Sequence, residues 1–278
     1  MSSRARQLLS TLQRWSTTFG VDIKRAVRGA CAIPWFVRDF VRLRNQNAEA
    51  GNPWMISCSA PSLHDKGDKA GITSGHYFHQ DLFVAQRIFG RKPAHHLDVG
   101  SRVDGFVAHV ASFMPIEICD LRPLRSSNPN ILVRQLDICA LPDTYAGCAD
   151  SLSCLHALEH FGLGRYGDTV DLRGYELGFD GLYRMLRTNG IFYFSVPVGR
   201  ERIVFNSHRV FSLSTLATLF GGRFDLISFS YVDDSGNFHR DVPLHEASIQ
   251  ECQSLEYGCA IFELRKLNRG EISNFPSI

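Results

Sequence analysis

Apolar and polar positions follow two different periods along the chain. Residues 1–50 carry apolar side chains three or four positions apart, which predicts amphipathic helices interrupted at Pro34. These apolar positions are Leu8, Leu9, Leu12 and Trp15 before the proline and Trp35, Phe36, Phe40 and Leu43 after it. From residue 81 onward, short apolar runs alternate with helix-compatible stretches, of which 81–89 is the first. The later part of the chain is therefore predicted to mix strands and helices.

Seven apolar runs predict strands, at 94–99, 116–120, 131–136, 150–154, 190–196, 224–231 and 257–266. Helical stretches separate most of the first five, whereas a polar stretch without a clear helix separates the last two. This alternation predicts an α/β fold with three layers. Its sheet is Rossmann-like, doubly wound, mostly parallel and seven-stranded, with an antiparallel last strand, and a helical extension precedes it. The predicted segments are a basic helical extension (1–50), a lid or linker (51–80), the α/β domain (81–268) and a tail (269–278).

Charge is concentrated at the N-terminal end. The net charge of the 278 residues is only +2, which argues against nucleic-acid binding. Residues 1–44, however, carry nine Lys/Arg against two Asp, a net of +7. Two interpretations of these basic helices stay open. One is a cap packed on the domain or on a second subunit of a homo-oligomer, and the other is contact with a membrane surface.

The cell compartment is expected to be cytoplasmic, with membrane-peripheral placement left open. No two of the eight cysteines form a Cys-x-x-Cys pair, which favours reduced, buried thiols. No run approaches the roughly 18 apolar residues of a membrane span, and the apolar centre of a secretory signal is missing.

The segment HHLDVGSRVDG, residues 95–105, is the most informative in the chain. A short apolar run ends in Asp98 and opens into a glycine turn at Gly100, and a helix-compatible stretch (106–113) follows. This is how parallel-sheet proteins present backbone N–H groups to a nucleotide-like cofactor. The spacing does not match Gly-x-Gly-x-x-Gly, and no Tyr-x-x-x-Lys pair is evident. Both observations disfavour a nicotinamide-dependent oxidoreductase.

Acidic residues mark the ends of the next predicted strands. Asp120 lies twenty residues after Gly100, the separation at which an acidic side chain meets a cofactor's ribose hydroxyls. Asp137 follows the third strand, where its carboxylate is expected to accept from the exocyclic amine of adenine. Asp150 stands at the start of the fourth strand. A single strand-end aspartate is more often a helix cap or turn former, but three in this order are moderately specific.

Several segments together resemble class I S-adenosylmethionine-dependent methyltransferases over about residues 90–267. They are LDVGS at 97–101, Asp120, DICALP at 137–142, DSLSCLHALEH at 150–160 and LYRMLRTNGIFYFSVP at 182–197. A narrower resemblance, to a domain-of-unknown-function family within that superfamily, extends back to about residue 60. It is carried by Gly71, HYFHQD at 76–81, the segment 97–105, EHFGLGRYGD at 159–168 and FNSHRVF at 205–211.

The resemblance implies S-adenosylmethionine as the cofactor. The implied contacts are Asp98, Gly100, Ser101, Arg102, Asp104, Gly105, Asp120, Leu121, Asp137 and Ile138. One departure is clear, because the superfamily's first motif carries further glycines where this chain has Arg102 and Asp104. Either Arg102 grips the methionine carboxylate while Asp104 or Asp98 meets the ammonium group, or these side chains block the pocket.

Histidines supply the candidate base for a hydroxyl acceptor. His156 and His160 follow the fourth strand, and His208 comes later, beside Arg209. Each of the three also has a structural interpretation, as a packing, capping or orienting residue. A metal site built from His156, Glu159 and His160 has no obvious further ligand, so no metal is predicted.

The acceptor is predicted to be a small or saccharide-like molecule. Arg165 suits a phosphate or carboxylate, Tyr166 suits a sugar ring, and Asp168 and Arg209 complete the predicted substrate contacts. A tight loop held by its own Arg–Asp pair is the structural alternative for 162–168. The leading hypothesis is an O-methyltransferase, and the competing one is a non-catalytic methyltransferase-like binding or assembly module.

Overall fold

The structure, a computed structural model, describes the backbone of residues 3–276 and the side chains of residues 11–276. It divides into two compact units, Met1–Ile72 and Thr73–Ile278. The first unit contains helices α1 (Ser3–Thr18) and α2 (Ile23–Glu49). The chain between Gly51 and Ile72 forms no helix or strand. The helical extension of the sequence analysis is therefore present, while the predicted domain bounds stay a prediction.

The sequence analysis expected a break at Pro34, but helix α2 continues through this residue. It begins at Asp22, whose side chain accepts a hydrogen bond from the N–H of Arg25 (3.0 Å), and it runs through Pro34 to Glu49. Proline removes a single backbone donor, and the helical bonds on either side keep the turn in place. The predicted apolar positions Leu8 and Leu9 lie outside the described side chains. No helix among the described residues is long and apolar enough to span a bilayer.

The second unit contains the remaining helices and all the strands of the described chain. The helices are α3 (His76–Arg91), α4 (Ala108–Ala111), α5 (Gly174–Met185), α6 (Leu213–Phe220) and α7 (Glu246–Ser254). The strands are β1 (His96–Val99), β2 (Ile116–Asp120), β3 (Ile131–Gln135), β4 (Ala149–Leu155), β5 (Leu186–Val198), β6 (Arg202–Val204), β7 (His208–Val210), β8 (Phe224–Val232), β9 (Phe238–His239) and β10 (Gly258–Lys266). A π-helical turn, Val103–Val107, leads into α4.

The main sheet has the order β3-β2-β1-β4-β5-β10-β8-β9. Strands β1 to β5 are mutually parallel, and β10 inserts antiparallel between β5 and β8. The predicted mostly parallel, doubly wound sheet with an antiparallel last strand is confirmed. In such a sheet ligands bind beyond the carboxyl ends of the strands, where the order reverses. Here the reversal lies between β1 and β4.

Two apolar layers cover the sheet. Phe192 and Phe194 of β5 face a cluster formed with Phe179 of α5 and Phe220 of α6. The intervening Tyr193 faces the other cluster, which contains residues of α3 and α4. This alternation along a strand buried on both faces gives the three-layer architecture.

Three details differ from the sequence analysis. The sheet has eight strands, because the two-residue β9 pairs with β8, and so short a strand leaves no periodic signal. The polar stretch before β10 contains α7, which is capped by a reciprocal pair between His245 and Ser248 rather than marked by an apolar stripe. All eight cysteines are free, but three of them, Cys31, Cys58 and Cys148, are exposed rather than buried.

Candidate active site

A cavity of about 470 Å³ opens beyond the carboxyl ends of β1, β2 and β4. Its volume falls within the roughly 300–1,000 Å³ of small-molecule and cofactor sites. The wall brings together residues that are distant in sequence. Those expected by the sequence analysis are Gly100, Ser101, Arg102, Asp104, Asp120, Leu121, Asp137, Ile138, His156, His160, Tyr166 and Asp168.

The turn after β1 is fixed from behind by Asp98. This carboxylate is fully buried and accepts from the N–H of Ser101 (3.1 Å) and from the hydroxyls of Ser101 (2.6 Å) and Ser153 (2.5 Å). Burial raises the pKa of Asp98 to about 6. Asp98 is not among the residues lining the cavity, and its carboxylate shapes the turn; its predicted cofactor contact stays a prediction. The hydrogen-bonded chain continues from Ser153 to His96 (3.1 Å).

Gly100 shows why the turn needs glycine. Its φ of +72° lies in the left-handed region, and an added Cβ would come within 3.0 Å of the Ala157 Cβ. Gly105 differs, because its φ lies outside the left-handed region and an added Cβ would come within 2.5 Å of Oδ2 of Asp81 in α3. Gly105 does not line the cavity, and its predicted cofactor contact stays a prediction.

Arg102 and Asp104, the departures from the superfamily pattern, bond to each other. The Arg102 Nη2 and Nε donate to the Asp104 carboxylate at 3.0 and 3.2 Å. The two side chains are 53% and 77% exposed, and the Arg102 guanidinium lies 5.1 Å from the Tyr77 ring centroid. Both residues line the rim of a cavity that stays open beside them. The pair therefore lies at the wall of the cavity and does not fill it.

Asp120 ends β2 and forms an ion pair with Arg122. The backbone N–H and Nε of Arg122 donate to Oδ1 (2.8 and 2.9 Å), and Nη2 donates to Oδ2 (2.7 Å). A carboxylate offers about four acceptor positions. The three donors of Arg122, one of them its backbone N–H, thus leave about one acceptor position at Oδ2 among the described residues, and Asp120 lines the cavity.

Asp137 follows β3 and starts the short 3-10 turn Ile138–Ala140. Its Oδ1 accepts from the N–H of Cys139 (2.9 Å), which holds the carboxylate at the cavity wall. Leu121 and Ile138 supply apolar wall between the two aspartates. Two carboxylates with apolar surface between them make a surface suited to a ribose and a flat aromatic base.

His156 directly follows β4 in a strained conformation. Its φ is +51°, its N–H donates to the carbonyl of Ser195 (2.9 Å), and its side chain is buried. The Nδ1 bonds Glu159 Oε1 (2.7 Å), and the Nε2 lies 3.1 Å from Nδ1 of His76. Both ring nitrogens are thus engaged. Burial opposes the charged form, but Cys259 and Glu159 raise the pKa of His156 well above its ordinary value.

His160 closes the 3-10 turn that begins at Leu158. Its Nδ1 lies 2.5 Å from the carbonyl oxygen of Ser207, which can only accept, so Nδ1 carries the proton. The Nε2 is therefore the basic nitrogen of the neutral ring, and it lies 3.8 Å from Glu159 Oε1. Burial lowers the pKa of His160 below 6.5. A neutral imidazole with an open basic nitrogen at a cavity wall is suited to accept a proton.

The glycine-rich loop 162–168 forms another part of the wall. Asp168 accepts from the N–H groups of Gly164 (3.1 Å) and Tyr166 (3.2 Å), so its carboxylate shapes the loop while lining the cavity. The Tyr166 ring contacts Arg122 at 4.4 Å and Arg165 at 5.0 Å. Arg165 donates to the Ser207 carbonyl (3.1 Å) and does not line the cavity.

His208 and Arg209 do not line the cavity either. The Nδ1 of His208 bonds the Ser207 hydroxyl (2.8 Å), and its ring packs edge-on against Tyr257. The buried Arg209 donates to the carbonyls of Phe161 (2.5 Å) and Leu172 (3.1 Å). Arg209 thereby holds both ends of the loop in place. The predicted catalytic role of His208 and the predicted substrate contact of Arg209 stay predictions.

The loop depends on a glycine at its first position. Gly162 has a φ of +75°, and a Cβ there would overlap the carbonyl oxygen of Asp171, whereas Gly167 has a φ of +87° with open space around it. We expect Gly162→Ala to lower the free energy of unfolding by about 3 kcal/mol, from overpacking and left-handed strain, and Gly167→Ala by about 1 kcal/mol, from strain alone. Urea denaturation measures both, and equal losses would contradict the steric argument.

Sequence reasoning missed contributors from α3. Tyr77 lines the cavity, and His76 stacks on His156 with ring centroids 5.1 Å apart. Both belong to the motif HYFHQD, which carried the resemblance without suggesting a role. The tertiary fold alone brings the start of α3 to the end of β4.

Family comparison agrees with the narrower resemblance. The sequence profile of a family described as "Caenorhabditis protein of unknown function, DUF268" matches residues 128–267, half of the chain. The chain belongs to the DUF268 family. The DUF268 match covers β3, β4 and all later strands and includes His156, His160 and the glycine-rich loop. No curated protein matches the chain in sequence.

Solved structures similar to this DUF268 chain include several methyltransferases. The N-methyltransferase NodS from Bradyrhizobium japonicum, in complex with S-adenosylhomocysteine, is 13% identical with a TM-score of 0.46, covering 76% of this chain and 94% of its own. The Burkholderia thailandensis 1,6-didemethyltoxoflavin-N1-methyltransferase is 17% identical with a TM-score of 0.45, covering 78% and 99%. The [4+2]-cyclase SpnF is 16% identical with a TM-score of 0.48, covering 80% and 92%. The strand order itself, rather than these superpositions, defines the methyltransferase-like fold.

Proposed function

We propose that this protein is an S-adenosylmethionine-dependent methyltransferase that methylates a hydroxyl group of a small or saccharide-like acceptor. The supporting observation is one cavity whose wall includes the Gly100 turn, Asp120, Asp137, His160 and Tyr166. The residues that we assign to the cofactor (the cofactor half: the Gly100 turn, Asp120 and Asp137) and those that we assign to the acceptor (the acceptor half: His160 and Tyr166) therefore line a single space. The bound cofactor would supply a methyl group already activated on a sulfonium, so the protein has mainly to position and deprotonate the acceptor.

The residues of the cofactor half suit a nucleoside. The remaining acceptor position of Asp120 suits a ribose hydroxyl, and Asp137 suits the adenine amine, with Leu121 and Ile138 packing on the base. At the rim, Arg102 suits the carboxylate of the methionine part of the cofactor, once the guanidinium shares its hydrogen bonds between that carboxylate and Asp104.

The acceptor half contains the base. Nε2 of His160 would take the acceptor's hydroxyl proton as the methyl group is transferred, and Ser207 fixes the tautomer that leaves this nitrogen basic. The carboxylate of Glu159, 3.8 Å away, stabilises the resulting imidazolium. His156 is not assigned this role, because Glu159 and His76 engage both of its nitrogens. The guanidinium groups of Arg122 and Arg165 lie over the Tyr166 ring at 4.4 and 5.0 Å, so this ring would meet a sugar only after one of them moves aside.

Cofactor affinity tests the proposal directly. Titration calorimetry with S-adenosylmethionine should show binding, and Asp120→Ala should weaken it at least tenfold, about 1.4 kcal/mol or more, because a ribose acceptor is lost. Asp143→Ala is the matched control, since that carboxylate is fully exposed and does not line the cavity. Unchanged affinity in Asp120→Ala would remove this residue from the site.

A non-catalytic binding or assembly module is the second candidate function. It is favoured by Arg102 and Asp104, which replace the glycines of the superfamily motif. Complete absence of S-adenosylmethionine binding by the unaltered protein would reject the enzyme and support this module.

A further inference from the structure

Three metal-ligating side chains converge beside the cavity. They are His76 at the start of α3, His156 just after β4 and Cys259 near the start of β10. Their ligand atoms all lie within 4.8 Å of one another, and Nδ1 of His76 lies 3.1 Å from Nε2 of His156. We propose that His76, His156 and Cys259 form a binding site for a zinc ion.

The spacing suits a tetrahedral ion. Zinc bonds of about 2.0–2.1 Å to nitrogen and 2.3 Å to sulfur imply ligand atoms roughly 3.3–3.6 Å apart. The two histidine nitrogens already stand near that separation. The thiol would complete the set after a side-chain rotation, because its sulfur lies no more than 4.8 Å from either nitrogen. Three protein ligands leave a fourth position for water or a ligand, as in catalytic zinc sites.

Contacts with residues outside the three proposed ligands orient both imidazoles for metal binding. Nδ1 of His156 bonds the buried carboxylate of Glu159 (2.7 Å), which directs Nε2 towards the cluster. This carboxylate–histidine pair is the arrangement that typically supports a zinc-bound imidazole. The ring of His76 stacks on Tyr257 with ring centroids 5.2 Å apart, and its Nδ1 faces Nε2 of His156. Ligand orientation is thus established from outside the set.

The charge and the chemical softness of the ligands favour zinc, a borderline-soft dication, over the hard cations magnesium and calcium. A Cys259 thiolate and the Glu159 carboxylate together carry two negative charges, which balance those of the ion. Glu159 is 1% exposed, and its Oε2 has no hydrogen-bond partner among the described residues, so the buried acid is incompletely satisfied by the protein alone. Thiolate and imidazole ligands suit zinc, whereas magnesium and calcium require oxygen. Access is through the cavity, which His156 lines, or past the half-buried His76.

Cobalt substitution tests the site without reference to methyl transfer. The full chain is used with its exposed cysteines Cys31, Cys58 and Cys148 replaced by serine, so that surface thiols do not contribute. One equivalent of Co²⁺ should bind with a thiolate-to-metal charge-transfer band, and one equivalent of Zn²⁺ should displace it. Cys259→Ser should abolish the band and weaken Zn²⁺ binding at least tenfold. Cys252→Ser, at another fully buried cysteine, should retain both.

Specific results would overturn the proposal. They are failure of the background protein to bind Zn²⁺ or Co²⁺ stoichiometrically, an unchanged band in Cys259→Ser, and binding of copper alone. Far-ultraviolet circular dichroism reports whether each variant folds. If Cys259→Ser does not fold, His76→Gln provides the test, because it should keep the thiolate band while weakening Zn²⁺ binding at least tenfold. Unchanged affinity in His76→Gln would equally reject the site.

Discussion

Replacing His160 by alanine is expected to lower the turnover number about 10²-fold, because the acceptor then loses the group that takes its proton. The assay follows transfer of labelled methyl from S-adenosylmethionine to a small-molecule cell extract. Affinity for S-adenosylmethionine should stay near that of the unaltered protein, since His160 lies in the acceptor half of the cavity. His109→Ala, at an exposed histidine of α4, is the matched control and should keep full turnover.

The pH profile distinguishes a base from a residue that only shapes the wall. His160 must be neutral to accept a proton, and burial lowers its pKa below 6.5. Glu159 and the Ser207 carbonyl oppose this shift, while Arg165 and His156 add to it. The acid limb of the rate profile should therefore fall below pH 6.5 and disappear in His160→Ala. An unchanged profile in the variant, or unchanged turnover, would reject His160 as the base.

Replacing Glu159 by alanine is expected to lower the free energy of unfolding by about 3–5 kcal/mol, the largest loss of stability that we predict for the site. Its carboxylate is 1% exposed and holds Nδ1 of His156 at 2.7 Å. Removing it leaves a buried imidazole without its acceptor and opens a cavity beneath the 3-10 turn. Thermal and urea unfolding measure the effect.

Two companion variants define the cause of that loss. Glu159→Gln keeps an oxygen that accepts from His156 and should cost less than the alanine variant, on the order of 1–2 kcal/mol. Glu256→Ala removes an exposed ion pair with Arg202 and should change stability by less than about 0.5 kcal/mol. Equal losses in Glu159→Ala and Glu256→Ala would show that the buried pair does not stabilise the fold.

The strands of the sheet were predictable because their signal is local. The runs around Leu97, Ile118 and Phe262 are apolar and bounded by turn residues, so their positions agree with the observed strands within a few residues. Helix α7 was missed because its capping residues, rather than an apolar stripe, define it. The predicted helix break at Pro34 was wrong, because the helical hydrogen bonds on both sides of this residue maintain the helix.

Residues of the site were predictable only where the local sequence marks the end of a strand. The Gly100 turn, Asp120 and Asp137 occupy strand ends, which a sheet brings to one edge, and they line one cavity. Asp98 could not be distinguished from them, because only the structure reveals the three donors behind it. The Arg122 pair with Asp120 and the convergence of His76 with Cys259 likewise depend on side-chain packing that periodicity does not encode.

The position of β10 has a consequence for how the protein is made. Among the described residues this strand comes last in sequence, yet it lies in the interior of the sheet, between β5 and β8. During synthesis β8 and β9 leave the ribosome before the strand that joins them to the rest of the sheet, and Cys259 arrives with that strand. The group of His76, His156 and Cys259 is therefore completed only when β10 inserts, so nascent chains that stop before residue 258 contain Gly100, Asp120 and Asp137 but lack Cys259.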